Sequence, residues 1–591
     1  VNFGPIPSPT SDVLVVTDFP GMDGNVERVC FIDPVEIIVA NRVGDVKAAL
    51  ERVEQRTATG CFAVGFVSYD AAPGFDAALE VAGPSAMPLV WFGIYNGPSV
   101  QCNHDVTPQI DALDWQPHVE RSQYVNAVQG IRNGIMDGAF YQVNHTVRLR
   151  AGWTGDPFAA YEALHLAQPS SYGMYLDIGR FRILSVSPEL FFSLAGREIQ
   201  TRPMKGTARR GRWNDEDIAA ASTLAVSVKD RAENVMIVDL VRNDLGRISK
   251  LGTVAVPRLF EVERHPTLWQ MTSTITATLR EDLGLADIFA ALFPCGSVVG
   301  APKIAAAERI AAHESAPRGL YCGAIGIVRP GGDCVFNVAI RTLVIDGENG
   351  IAEYGTGGAI TIDSTPDGEY DELMTKAAVL RGAEPEFQLI ETLRLSDGVF
   401  VRRERHLRRL RESADYFDFP DMTDAFNTAL AEQAERYPSG DRRVRVLASR
   451  DGQVRAESTT IDSLARSRDA SLRYAVAQSP ISSLDPFLFH KTTRRLVYEE
   501  RRAAHPDADE TILVNERGEL TECSIGNLVL EIGGVRYTPP RECGLLAGMF
   551  REELLESGTI RERVLYPSDL QAATDAWMIN SLREWVRLSA L

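Results

Sequence analysis

Short apolar runs mark the opening of the chain, as at residues 36–40 and 61–69, and Pro and Gly clusters break them, which predicts strands and loops through residue 118. A helical period over 122–136 leads through Asp137-Gly138 into a strand at 140–149. Further strands are predicted at 173–177, 181–186 and 190–194, helices at 215–240, 285–292, 304–313 and 369–380, and strands again at 323–329, 334–345 and 351–354. Strands therefore run in groups instead of alternating with helices, the pattern of an α+β fold.

Near residue 382 the last of these helices reaches Gly382, Pro385 follows, and a new strand and turn begin over 387–399 with Asp397-Gly398. The expected division is 1–118 and 119–383 as two parts of one lobe, then 387–591 as a second lobe, joined without a Ser/Gly-rich tether. The Arg-rich run at 402–411 resembles a nucleic-acid patch, but Leu407, Leu410, Ala414 and Phe417 fall at helical spacing and predict an amphipathic surface helix.

Composition narrows the classes. With 591 residues, 45% hydrophobic and 24% charged, the chain is ordinary globular material and long enough for several domains. Its net charge of −19 disfavours nucleic acid and anionic membranes as partners, and an anionic substrate would need a local cationic pocket or a metal. The 8 cysteines show no C-x-x-C pair, and neither a signal-peptide pattern nor a long apolar run is present, so a reducing cytoplasm is the expected location.

The turn Gly296-Ser297-Val298-Val299-Gly300-Ala301-Pro302-Lys303 is not a Walker loop, because Pro302 stands where the second Gly is needed. Pro302 suits the first turn of the helix at 304–313, so the turn offers backbone N–H groups to a small carboxylate, or simply needs its glycines. Glu369 and Glu372 lie three apart on a predicted helix, and their oxygens suit Mg²⁺; Glu372 and Lys376 equally suit an i,i+4 ion pair.

Together with Thr201-Arg202-Pro203-Met204-Lys205-Gly206-Thr207, the stretch 232–245 from Ala232-Glu233-Asn234 to Arg242-Asn243-Asp244-Leu245, and Tyr354-Gly355-Thr356-Gly357-Gly358, that turn resembles the chorismate-utilising enzymes. These include anthranilate, isochorismate, salicylate and aminodeoxychorismate synthases, and the resemblance runs over residues 1–383. It implies large antiparallel sheets flanked by helices. Lys205 matches the lysine of aminodeoxychorismate synthases, where anthranilate synthases carry Ala; there it attacks C2 of chorismate before ammonia adds at C4. Glu189 matches the general acid that protonates the departing C4 hydroxyl. Gln142 stands where water-activating relatives have a lysine base, and an amide cannot deprotonate water.

The resemblance further implies that Glu233 joins Glu369 and Glu372 on Mg²⁺, and that Arg341, Tyr321 and Lys376, with Gly300 and Gly357 of the two glycine motifs, contact substrate. Gln270 departs from the His of many relatives. No Gly-x-Cys-x-Gly segment surrounds any cysteine, so ammonia is expected from a glutamine amidotransferase subunit or from solution.

Residues 387–591 resemble the two-subdomain fold-type IV pyridoxal phosphate enzymes through 387–398, 402–414, His490-Lys491-Thr492-Thr493, 520–528 and 545–551. That resemblance implies Lys491 as the cofactor's lysine and proton carrier, Glu522 at the pyridine nitrogen, and Gly548, Met549, Asn580, Ser581 and Arg402 around the phosphate. It also implies a homodimer through this lobe. Aminodeoxychorismate carries an amine and an enolpyruvyl leaving group, so such a lobe would expel pyruvate and release 4-aminobenzoate, a step toward folate. The alternatives are an anthranilate-type synthase fused to an aminotransferase, or a synthase with a non-catalytic C-terminal module.

Overall fold

Strand Gln142–Gly152 pairs from Val143 to Gly152 with Ile351–Ile360, and around this pair grows a nine-stranded antiparallel sheet. A ten-stranded sheet contains Met204–Arg209, Leu268–Thr278, Leu190–Ala195 and Phe62–Val67. The architecture is that of a computed structural model, which describes residues 13–591 apart from 22–24, 84, 100–105, 170–171, 382–385 and 462–470. The break expected at Gly382 and Pro385 lies outside the described residues.

The two sheets face each other across a core in which Val15, Leu176 and Ile183 meet Val64, Phe66 and Ile325. Strands such as Val90–Tyr95 are buried at every position and so read as unbroken apolar runs rather than alternating ones. Helices including Val46–Ala58, Val228–Gly246 and Leu285–Leu292 contribute Leu50, Ile237 and Phe289 to a second, larger core cluster.

Predicted and observed elements agree at Arg121–Met136, Leu285–Leu292 and Lys303–His313. The helical stretch 215–240 is two helices, Asn214–Val226 and Val228–Gly246, because the Ser227 hydroxyl accepts the Asp230 N–H and starts a new cap. The strand expected over 334–345 is broken into Cys334–Val338 and Thr342–Asp346 at Arg341, which takes a left-handed φ of 51°. Cys30 is disulfide-bonded, which the scattered cysteine spacing did not signal, whereas Cys61, Cys295, Cys322, Cys334, Cys523 and Cys543 are free and buried.

The chain divides into two units: Val1–Arg209 with Ala221–Glu384, and Arg210–Ala220 with Pro385–Leu591. In the second unit a four-stranded antiparallel sheet of Leu389–Ser396, Val399–Phe400, Asp441–Ala448 and Val454–Thr460 is covered by helices Arg403–Tyr416 and Thr423–Arg436. An eight-stranded mixed sheet forms its other subdomain. Helix Arg403–Tyr416 is amphipathic as expected: Leu407, Leu410 and Ala414 are buried, while Arg405 and Arg408 pair with Glu552. The short segment 210–220 packs within this unit, where Trp213 lies against Phe489 and the Tyr416 hydroxyl donates to the Gly211 carbonyl. Among the described residues no helix is long and apolar enough to cross a membrane.

Candidate active sites

A cavity of about 300 Å³ in the first unit is walled by Lys205, Glu189, Glu233, Glu369, Glu372 and Lys376, and Tyr321, Arg341 and Gly357 also line it. Lys205 arrives there through a bulge. Met204 opposes Thr272 and Thr207 opposes Gln270, so the register slips at Lys205-Gly206. Gly206 has φ +94°, and a Cβ there would stand 3.0 Å from that of Asp230. Gln270 holds the bulge: its Nε2 donates to the Gly206 carbonyl at 2.8 Å, and its Oε1 accepts from the Thr207 hydroxyl. That contact gives Gln270 a structural task.

Burial lowers the pKa of the Lys205 amine, and Lys376 adds to this, against the opposing pull of Glu189, Glu233 and Glu372. The neutral, nucleophilic form is thereby favoured. Burial also pushes the Glu189 carboxyl up to about 7, although hydrogen bonds from the Ser297 hydroxyl and the Met204 N–H and the charge of Lys205 oppose it. Its Oε1 has no hydrogen-bond partner among the described residues, so it can carry a proton into the cavity.

The strand Ile351–Ile360 brings its glycines against the opposite wall. A Cβ on Gly355 would stand 2.2 Å from the Tyr321 ring, whose other partner is the Arg148 guanidinium 5.2 Å from its centroid. A Cβ on Gly358 would stand 3.1 Å from Glu369 Oε2 and 3.8 Å from Glu372 Oε1. Lys376 pairs with Glu372 at 2.7 Å and donates to the Gly357 carbonyl at 2.9 Å. Arg341 donates to Gln168 Oε1 and to the Lys376 carbonyl, which fixes a guanidinium at the wall.

Among the described residues no three His, Cys, Asp or Glu side chains gather at metal-ligand spacing. The donor chemistry nevertheless suits a hard divalent cation. Glu233 and Glu369 are pushed up by burial with Glu372 adding to each, a repulsion that a cation would relieve. In Glu372 burial is outweighed by Lys376 and Lys205, so its pKa is lowered.

Gln142 and Gly300, expected at the substrate, lie behind the wall. Gly300 pairs with Val143 and Ala301 with Gln142, and a Cβ on Gly300 would stand 2.2 Å from the Gln142 carbonyl. Gln142 is fully buried, and it is Asn144, two residues on, that lines the cavity. Sequence reasoning missed Lys229, Ser297 and His265, which also line it. Lys229 had a signal in its position four residues before Glu233 on one helix.

The second unit holds its own cluster. Burial lowers the Lys491 amine to about 8, assisted by Arg409 and Arg495. Its carbonyl accepts the Ile390 N–H at 2.8 Å. Glu522 on Leu520–Cys523 is pushed up to about 7 by burial, against bonds from the Tyr498 hydroxyl at 2.8 Å and the Leu546 N–H at 3.1 Å. A lysine amine near neutrality and a buried carboxylate are the chemistry that an aldehyde and a pyridinium nitrogen require, so these residues fit pyridoxal phosphate.

Gly548 caps the helix Met549–Glu556, but its N–H donates to Asn527 Oδ1 at 3.2 Å. Asn580 shapes a turn by accepting the Leu582 and Arg583 N–H groups. Arg402 departs from expectation. Its guanidinium is bound to Glu553 and Glu584, and its Nη1 donates to the Ser581 carbonyl. Arg409, not Arg402, is the arginine whose charge Lys491 feels most.

Residues 27–382 match the family described as chorismate binding enzyme, and residues 388–591 match amino-transferase class IV. Over 340 residues the chain is 37% identical to aminodeoxychorismate synthase component 1 of Escherichia coli, covering 53% of this chain and 75% of that protein. It is 41% identical to aminodeoxychorismate synthase of Streptomyces griseus over 48% of this chain, and there it spans only 38% of the relative's length. The crystal structure of anthranilate synthase component I from Streptococcus pneumoniae superposes with a TM-score of 0.51 at 26% identity, covering 64% of this chain and 94% of that one. The chain therefore belongs to the chorismate binding enzyme family and carries, behind that domain, an amino-transferase class IV domain.

Proposed function

We propose that the first unit aminates chorismate at C4 and that the second converts the product to 4-aminobenzoate. The observation that carries the reading is one cavity holding a lysine amine whose charge burial disfavours together with a carboxyl raised to about 7. The Lys205 amine attacks C2 and gives up a proton, both ring double bonds shift (C1=C2 to C1=C6 and C5=C6 to C4=C5), and the C4 hydroxyl leaves as water with the proton of Glu189. Ammonia then adds at C4 and the Lys205 nitrogen departs from C2, so the net change is hydroxyl for amine. Glu233, Glu369 and Glu372 would hold Mg²⁺, which supplies positive charge for a substrate carboxylate. Arg341 and Lys376 supply the local cations that a chain of net charge −19 needs to take up an anion. A glutamine amidotransferase subunit is the proposed ammonia source.

In the second unit pyridoxal phosphate, when bound, supplies an electron sink for the substrate carbon. Lys491 would take the proton from that carbon, Glu522 would hold the pyridine nitrogen, and the turn at Asn580-Ser581 would hold the phosphate. The test is the purified chain with chorismate, ammonia and Mg²⁺, read by chromatography. Appearance of 4-aminobenzoate with no other enzyme present is the expected result, and anthranilate in its place would refute the reading.

A further inference from the structure

A line of buried polar contacts in the second unit runs from the Asn580-Ser581 turn to the Ala547 carbonyl. Ser581 Oγ lies 2.9 Å from Nε2 of His406, and Nδ1 of the same ring lies 2.6 Å from Glu391 Oε2. Glu391 accepts Arg409 Nε at 2.8 Å and Nη2 at 2.7 Å, and Arg409 Nη1 donates to the Ala547 carbonyl at 3.2 Å. All four side chains are buried, His406 and Glu391 to 1% exposure. They tie the strand Leu389–Ser396 and the helix Arg403–Tyr416 of one subdomain to two turns of the other, at Ala547-Gly548 and Asn580-Ser581.

The protons in this line can be placed. Burial would raise the Glu391 carboxyl, but Arg409 and His406 outweigh it and hold it at about 2, so Glu391 only accepts. Nδ1 of His406 is therefore the donor to Glu391. In a neutral ring Nε2 must then accept, so the single hydroxyl proton of Ser581 points at the imidazole and away from the turn. An imidazolium donates from both nitrogens. Nε2–H would then bond to Ser581 Oγ, and the hydroxyl proton would be free to meet an anion. Burial disfavours the charged ring; Glu391 favours it, and Arg409 and Lys491 oppose it. A phosphate dianion against Ser581 adds the negative charge that tips this balance.

We propose that a phosphate bound at the Asn580-Ser581 turn drives proton uptake by His406, which turns the Ser581 hydroxyl from a donor to His406 into a donor to the phosphate. His406 is thus a positioning residue, and the proposal rests on the reading that pyridoxal phosphate binds at this turn. The proton comes from solvent, so binding and pH are linked.

Calorimetry of the apoprotein with pyridoxine 5′-phosphate, which has no aldehyde to react with Lys491, in two buffers of different ionisation enthalpy at mildly alkaline pH reads the proton count. The pyridine nitrogen and Glu522 are common to wild type and His406→Gln, so the difference between them reports His406. The expected difference is about one proton, with wild-type affinity falling about tenfold more steeply per pH unit than that of the variant. Ser581→Ala keeps His406 and Glu391 in place and should also lose the extra uptake, which serves if His406→Gln does not fold. Equal uptake in wild type and His406→Gln, or full uptake in Ser581→Ala, overturns the proposal while leaving the cofactor reading intact. If neither the analogue nor pyridoxal phosphate itself binds the folded chain, the cofactor reading fails and takes the proposal with it.

Discussion

Leu190, the residue after Glu189, pairs with Arg202, three residues before Lys205, and Glu189 and Lys205 line the same cavity. Acid and amine are thus placed by one strand pairing, and the bulge that follows it is set by Gly206 and Gln270. A displacement of this pairing moves both groups together.

Glu189 sets a pH limit. A carboxyl at about 7 in the folded chain, against 4.5 as its ordinary value, binds its proton more tightly when folded. Its contribution to stability is therefore full below the ordinary value and is lost as pH rises through about 7. The acid role follows the same direction, so turnover in the first reaction should fall as pH rises past that point. Glu189→Gln should lower kcat by roughly 10²–10⁴-fold and remove this limb of the profile, measured by steady-state kinetics across pH.

Gln270→Leu removes both the donor to the Gly206 carbonyl and the acceptor for the Thr207 hydroxyl. We expect a loss of stability of about 1–3 kcal/mol, read by denaturant unfolding, with a fall in kcat larger than any change in KM for chorismate.

Gly355→Ala places a methyl group where the Tyr321 ring now lies, 2.2 Å from its nearest atom. The neighbouring Arg148 closes the other side. The ring must shift, and the predicted effect is a rise in KM for chorismate of at least about tenfold, equivalent to ~1.4 kcal/mol of binding. Steady-state kinetics with ammonia as the nitrogen donor measures it.

Lys491→Ala separates the two units. The variant should form 4-amino-4-deoxychorismate at the wild-type rate and release no 4-aminobenzoate, and it should lose the visible absorption band that borohydride bleaches in the wild type with pyridoxal phosphate. Chromatography and absorbance spectra check both halves of this expectation.

Much of the frame was legible because apolar periodicity is local. Arg121–Met136 and Leu285–Leu292 bury one face or nearly all of their length, and their patterns show it without reference to the rest of the chain. What depends on distant partners was not legible. Arg402 sits in the same basic run as Arg409, and the carboxylates that claim it, Glu553 and Glu584, come far later in the chain. Gln142 and Asn144 differ by one strand period and so share a strand face, and of the two it is Asn144 that lines the cavity. The break at Arg341 carries no Gly or Pro to announce a left-handed residue. At the candidate site, Glu369 and Glu372 showed their common helix face, whereas the convergence of Lys205 and Glu189 was visible only through motif resemblance, since their enclosing wall is built from several strands.

The central claim is a covalent bond between the Lys205 nitrogen and C2 of the chorismate ring. It is tested most directly by incubating the chain with chorismate and Mg²⁺ in the absence of ammonia, digesting it, and identifying by mass spectrometry any peptide that carries chorismate less one water. The account predicts that adduct on the peptide containing Lys205, its loss on adding ammonia, and no turnover by Lys205→Ala. Formation of 4-amino-4-deoxychorismate by Lys205→Ala at the wild-type rate would contradict it.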